Sequence, residues 1–572
     1  MKFTLSRFLH KLQSQIGTRQ NMLRSTSDFF FPLIPVFFST HFIVGLNALN
    51  PRNIAWLGSD NFTGYLAQFY YLSDAWRFPL AANPGYGLGN STSLTYTGPS
   101  TIFLLPQKIF NVDPGIQLFG FWILLNVYLQ VLLGIRIALR FTNSRITAYS
   151  FGILMLSPFL LMRIQWHFWL ISHFLLLWAI LVLIRYHQTK IIKLGNLSLL
   201  IIFSYLVNTY LLMMVLILLI AGLIYAKFID KMELQAFSRI FAVIGGSFLA
   251  CLILVDGKFL TTSPYESARS LLTPSYGAHP GNILAFFQSN TGDSMYGNWG
   301  DYPKSFSHIV PAFGHIKGDY EGYAYLGLGG LLLLASGVYM FLRAHNGYRR
   351  LNEYWPYALA GFTTFLFAIS FRVGFGAFEK EFPFPLIAKY ALSLFRSSGR
   401  FMWILAYAVL VLSLLLLVKY LSPNKLKYVL SFLALIQLIE LSGPLQQRQD
   451  FIENFSSSGS VVSTIDSSYF QGLSKNKSSV HFWPQTNAPM GWDYVSLLAA
   501  KNSLNTNGVY TSRPNYFEMR RIENSTFREL CSNQLKAEIL YAVPIANITE
   551  LISCGLKKEP SMIIRKVAIY IR

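Results

Sequence analysis

Charged residues are scarce in this chain, at 13 per cent of 572, where a soluble domain carries about 25 per cent. Such a chain lacks the groups needed to cover a large watery surface. Cysteine is nearly absent too: three residues allow at most one intramolecular disulfide. No Walker A loop, dinucleotide fingerprint, kinase set or His-Glu-x-x-His pattern occurs, so nucleotide-driven chemistry and a zinc hydrolase site lack their sequence signs. The alternating segments of about ten residues that build a membrane barrel are missing. The basic N-terminus (Lys2, Arg7, Lys11, Arg19, Arg24) has no short signal-peptide core or small-residue cleavage site, and is expected to stay in place.

What is abundant is apolar sequence, 53 per cent of the chain. Runs near 20 residues recur, and that length spans roughly 30 Å of hydrocarbon as helix. Eleven spans are expected, at 29–49, 115–135, 146–163, 165–186, 196–207, 209–227, 239–256, 323–343, 354–371, 401–420 and 426–443. A twelfth apolar stretch, 99–110, is too short to cross and reads as interfacial or re-entrant. The class is an all-α polytopic membrane protein. Lys and Arg (47) exceed Asp and Glu (26), but the excess lies between apolar segments, where headgroups require it, rather than in a nucleic-acid footprint.

That charge sets an expected topology. Basic clusters at Arg136–Arg145, Arg185–Lys193, Lys227–Arg239, Arg343–Arg350 and Lys419–Lys427 join the N-terminus in the cytoplasm only if the chain crosses back within 196–227. A break is therefore expected near Asn208-Thr209-Tyr210. Outer loops follow at 50–98, 257–322 and 372–400, the last despite Arg372, Lys380, Lys389, Arg396 and Arg400, for which a lipid phosphate is one explanation. The expected domains are a cytoplasmic 1–28, a transmembrane 29–443 and a periplasmic α/β domain at 444–572, in a bacterial inner membrane. In the last, strand-like runs appear at 479–483, 539–543 and 563–571, with a helix near 494–501. Cys531 and Cys554 fall in this domain and are candidates to pair if it is periplasmic, an oxidising compartment. Cys251, inside a span, reads as a small buried hydrophobe.

The first outer loop carries Trp56-Leu57-Gly58-Ser59-Asp60-Asn61-Phe62-Thr63, then Asp74-Ala75-Trp76-Arg77-Phe78-Pro79-Leu80. An acid soon after the first span meets both membrane surface and water. Partial desolvation there would suit Asp60 to take a proton from an acceptor hydroxyl. The plainer reading makes Asp60 a cap on a short helix. Arg396 and Arg400, four apart, would share a face if their stretch is helical and could grip a lipid phosphate; snorkelling is the alternative. Asp74, Arg77, Glu266, His279 and Glu321 are candidates for contacting substrate, Glu321 also as a helix N-terminal charge. His167 and His173, six apart around Trp169, do not share a helix face and are weaker candidates.

Trp76-Arg77-Phe78-Pro79-Leu80, Gly87-Leu88-Gly89-Asn90 with Tyr96-Thr97-Gly98-Pro99, Glu321–Gly329, Phe395–Phe401 and Ser512-Arg513-Pro514 together resemble a family of uncharacterised bacterial multi-span proteins. That family is similar in layout to the GT-C glycosyltransferases. The resemblance implies transfer of a sugar from a polyprenyl-phosphate donor to a glycan, lipid or protein acceptor outside the membrane, with an essential acid in the first outer loop, matched here by Asp60. One departure stands out: Asn61 follows Asp60, so no tight acidic pair offers a divalent cation its usual ligands, and no cofactor is expected. The alternatives are a non-catalytic envelope-assembly protein and a glycolipid transporter. The spans carry few ionisable residues, which speaks against ion-coupled transport.

Overall fold

The structure is a computed structural model and describes residues 26–89, 93–96, 100–257, 275–292, 304–343, 353–458, 467–511, 516–564 and 566–572. Each of the eleven apolar segments contains helix. Among the described residues, seven helices are long and apolar enough to cross a membrane, eight if the bent pair Arg145–Leu154 and Pro158–Ile164 is one span. The chain is a multi-pass membrane protein. Length does not carry the count to eleven. Leu194–Val207, Leu328–Arg343 and Trp355–Ile369 have 14, 16 and 15 residues, and 14 residues of helix reach only about 21 Å.

Two local sequence features shape these helices. Pro158 cannot continue the preceding helix, so a new one starts there and the pair bends by 57°. At Asn208 the backbone is extended and its side chain accepts from Tyr210 N at 2.9 Å, which ends one helix and caps the next at Thr209. Glu440, in the long helix Pro423–Ser458, accepts from Tyr325 Oη and from the first amide of the helix Leu328–Arg343, each at 2.5 Å. That helix start is therefore capped by Glu440 and not by Glu321.

The chain divides into two compact units. The first comprises the described parts of 1–46, 121–248 and 273–452 and holds most of the long helices. Within it a short hairpin, β1 (Arg372–Phe375) and β2 (Phe378–Glu381), pairs Arg372 with Glu379 at 2.7 Å, and Lys389 lies 3.7 Å from Glu381. Part of the basic excess in the expected outer loop 372–400 is thus locally balanced.

The second unit gathers 47–120, 249–272 and 453–572. Its centre is a five-stranded sheet of order β4-β3-β5-β7-β6: β3 Ser479–Phe482, β4 Asn505–Thr506, β5 Ile539–Pro544, β6 Met562–Ile564 and β7 Val567–Tyr570. Alternate residues face opposite sides. Val480, Phe482, Leu540, Ala542, Val567 and Ile569 pack against Tyr494, Val495 and Leu498 of the helix Trp492–Lys501. Tyr541, Val543, Ala568 and Tyr570 face Leu530 and Leu551 on the other side. The stretch expected as one run at 563–571 is two antiparallel strands instead, because the chain turns at Lys566 with φ +67°. Cys531 and Cys554, at the ends of the helices Tyr516–Cys531 and Ile548–Cys554, are disulfide-linked across a Cα–Cα distance of 5.3 Å.

The first loop is part of this second unit. Its helix Ser59–Ser73 lays Phe62 against Trp492, and Tyr70 Oη donates to Leu504 O at 2.7 Å. Gly87 N donates to Thr506 O at 2.8 Å, so the loop extends the β4 edge. Meanwhile one helix, Pro423–Ser458, runs through the expected boundary at 443/444.

Candidate functional site

In the helical unit three glycine-bearing turns meet backbone to backbone. A Cβ on Gly322 would stand 2.8 Å from Gly281 Cα and 3.1 Å from Gly399 Cα, so no larger residue fits without displacing a neighbouring main chain. His279 N donates to Arg396 O at 3.2 Å, and Gly399 N returns a bond to His279 O at 3.0 Å. The knot sets Glu321 and Arg400 side by side. Arg400 Nη2 donates to Glu321 Oε1 at 2.8 Å and its Nε to Oε2 at 3.0 Å. From the helix Pro158–Trp166, Arg163 Nη1 reaches Oε2 at 2.9 Å and Nη2 reaches the Glu321 carbonyl at 2.9 Å. His167 Nε2 lies 3.9 Å from Oε1.

This cluster is buried, with side-chain exposures of 0 % for Arg163, 7 % for Glu321 and 11 % for Arg400. Burial opposes the charge of Glu321, but Arg400, Arg163 and His167 outweigh it and hold the carboxyl well below the ordinary carboxylate range. Two guanidinia to one carboxylate leave one positive charge in surplus. Tyr210 and Trp403 offset part of it with their ring faces, 4.6 Å from the Arg400 and 5.1 Å from the Arg163 guanidinium carbon. Burial, together with Arg396 and Arg400, pushes His279 below its ordinary value against the pull of Glu321.

The expectation that Arg396 and Arg400 share a helix face is corrected. Ser397 leaves helical geometry, with φ −96° and ψ 61°, and donates its amide to Tyr210 Oη at 3.2 Å. Arg400 consequently turns onto Glu321, while the half-buried Arg396 side chain has no hydrogen-bond or ion-pair partner among the described residues. His167 joins the cluster. His173 does not: its Nδ1 bonds Tyr407 Oη at 3.0 Å inside the bundle. Arg163 went unnoticed in the sequence. A lone arginine closing the apolar run 146–163 was the available signal.

The second unit holds the remaining candidates. Asp60 lies half-buried in the first turn of Ser59–Ser73, behind Gly58 as N-cap, where a carboxylate meets the positive end of the helix. Asp74 caps the other end of that helix, and Arg77 is exposed. Lys108, also missed, is buried and donates to Tyr71 O at 2.6 Å, closing the helix C-terminus. Asp256 accepts from Ser93 Oγ at 2.9 Å and Thr95 Oγ1 at 2.5 Å. Glu266 lies outside the described residues. Among the described residues, no three of His, Cys, Asp and Glu group as metal ligands.

Residues 33–442 match the family described as a domain of unknown function, DUF6311. No curated protein matches the chain. Among solved structures it is similar to ArnT from Cupriavidus metallidurans in the apo state, with 9 % identity and a TM-score of 0.47 over 94 % of this chain and 96 % of that one. It is also similar to the same protein bound to undecaprenyl phosphate, with 10 % identity and a TM-score of 0.44 over 95 % and 98 %. Likeness at this level carries no argument for fold or activity.

Proposed function

The chain belongs to the DUF6311 family, and we propose that it is a GT-C-like glycosyltransferase. It moves a sugar from a polyprenyl-phosphate donor to a glycan, lipid or protein acceptor of the envelope, on the outer side of the inner membrane. In this reading an acceptor hydroxyl attacks the anomeric carbon and loses its proton to Asp60. The bond from that carbon to the donor's phosphate oxygen breaks, and the phosphate leaves with the added negative charge. Arg396, with the surplus charge of the Arg163–Glu321–Arg400 cluster behind it, receives that phosphate. His279, in ring contact with Tyr320, and His167, 3.9 Å from Glu321, are the candidates in this reading for contacting the sugar.

The observation that carries the reading is the positive charge around Arg396 and Arg400 that no carboxylate among the described residues balances. Buried charge without a counter-ion is costly, and a phosphate would supply one. The Cys531–Cys554 link supports an oxidising, outer location for the second unit. A second reading, a non-catalytic envelope-assembly protein, draws on one fact: Glu321 already fills two donors of Arg400. The two part in a transfer assay with polyprenyl-phosphate-linked sugar and membrane extract as acceptor. Transfer by the native chain and its loss in Asp60→Asn, at unchanged yield and folding, is the expected result. Equal transfer by Asp60→Asn removes Asp60 as the base.

A further inference from the structure

We infer that Trp76, Arg77 and Phe78, together with Ile109 and Phe110, form a surface that sits in the headgroup layer of the bilayer, with Arg77 on a lipid phosphate. Trp76, Phe78, Ile109 and Phe110 are each more than half exposed, and Arg77 is exposed among them. Lys108 joins the two parts, with its Nζ 5.5 Å from the Trp76 ring centroid and Ile109-Phe110 next in the chain. Four large apolar side chains so close together are left uncovered among the described residues. The Arg77 side chain has no hydrogen-bond or ion-pair partner among the described residues.

The neighbouring span indicates what covers them. Leu80 N donates to Leu254 O and Ala81 N to Val255 O, both at 3.0 Å, so this segment is fastened to the last turn of Leu234–Asp256. That span is the least enclosed of the seven, with 22 % of its apolar window buried, and Leu254 itself is more than half exposed. Lipid therefore reaches the level of Leu254. Phe78 is two residues from Leu80, within about 7 Å of it along even an extended chain. Aromatic rings with an arginine are the composition that the membrane–water boundary favours, and an anionic phosphate complements Arg77. The surface also closes the far end of the Asp60 helix, so it would set the depth of that helix whatever reaction Asp60 serves.

The test labels Phe78→Cys and Phe110→Cys with a nitroxide in the full chain, in a Cys251→Ala background that leaves the Cys531–Cys554 disulfide intact. Tyr469→Cys, an exposed position on the helix Ser467–Ser474, is the control for a water-facing label. In nanodiscs of phosphatidylethanolamine and phosphatidylglycerol, the labels at 78 and 110 should collide more with oxygen than with a water-soluble nickel complex, and the control should show the reverse. Adding Arg77→Glu should move the 78 label toward water, while Arg77→Lys should not. Collision profiles at 78 and 110 equal to the control would overturn the inference. So would shielding from both reagents, which would mean that a protein covers the surface. An unmoved label in Arg77→Glu would remove the phosphate contact.

Discussion

Glu321 in the helical unit and Asp60 in the sheet-bearing unit are both acids that sequence reasoning singled out, and they are held in opposite ways. Glu321 is enclosed by two guanidinia that use both its oxygens, on turns locked together by Gly281, Gly322 and Gly399. Asp60 stands half-buried at a helix start, on a segment fixed through tyrosines and a β edge. The difference teaches where each acid can act. A carboxylate saturated by arginine is a structural counter-ion that tunes the charge around it, whereas Asp60 is the acid that the proposed reaction uses as its base.

Stability measurements can break or sharpen this contrast. Glu321→Ala strands two buried guanidinia and should cost about 3–5 kcal/mol in the thermal unfolding of the detergent-solubilised chain. Arg163→Met made in the Glu321→Ala background should cost less than it does alone, since the two share one interaction. In the other unit, Cys531→Ser opens a loop of 23 residues and should cost about 3 kcal/mol. The sheet unit should also be acid-sensitive. Burial pushes His481 from its ordinary 6.5 down to about 4, so below 6.5 the unfolded chain takes up a proton that the folded domain refuses. Stability should be complete above 6.5, decline as pH falls, and level off below 4, a total of roughly 3 kcal/mol; His481→Gln should flatten that slope. Tyr70→Phe removes one bond to Leu504 O and should cost about 1 kcal/mol. Smallest of all, Asp60→Asn should change stability by no more than about 0.5 kcal/mol. A large loss there would make Asp60 a second Glu321.

Much of the local structure in both units was legible because apolar length, polar interruption and strand-forming runs act locally. The 20-residue runs, the break at Asn208 and the strands at 479–482 and 539–544 each follow from neighbouring residues. The second unit's assembly was not legible. Tyr70 meets Leu504 and Tyr86 meets Tyr510 across 434 and 424 residues, and no local pattern reports such pairings. The Arg396–Arg400 face failed for a related reason: whether Ser397 stays helical depends on Tyr210, far away in sequence. Arg163 was hidden because an arginine at the end of an apolar run normally snorkels, and only Glu321, 158 residues on, turns it inward.

The most direct test of the account is the binding of undecaprenyl phosphate to the purified chain, compared among native, Arg396→Gln and Asp60→Asn forms by native mass spectrometry. Loss of a charge-assisted contact to phosphate should weaken binding about 10- to 100-fold in Arg396→Gln, and Asp60→Asn should bind as the native chain does. Equal binding by the native chain and Arg396→Gln would contradict the account, as would a loss confined to Asp60→Asn.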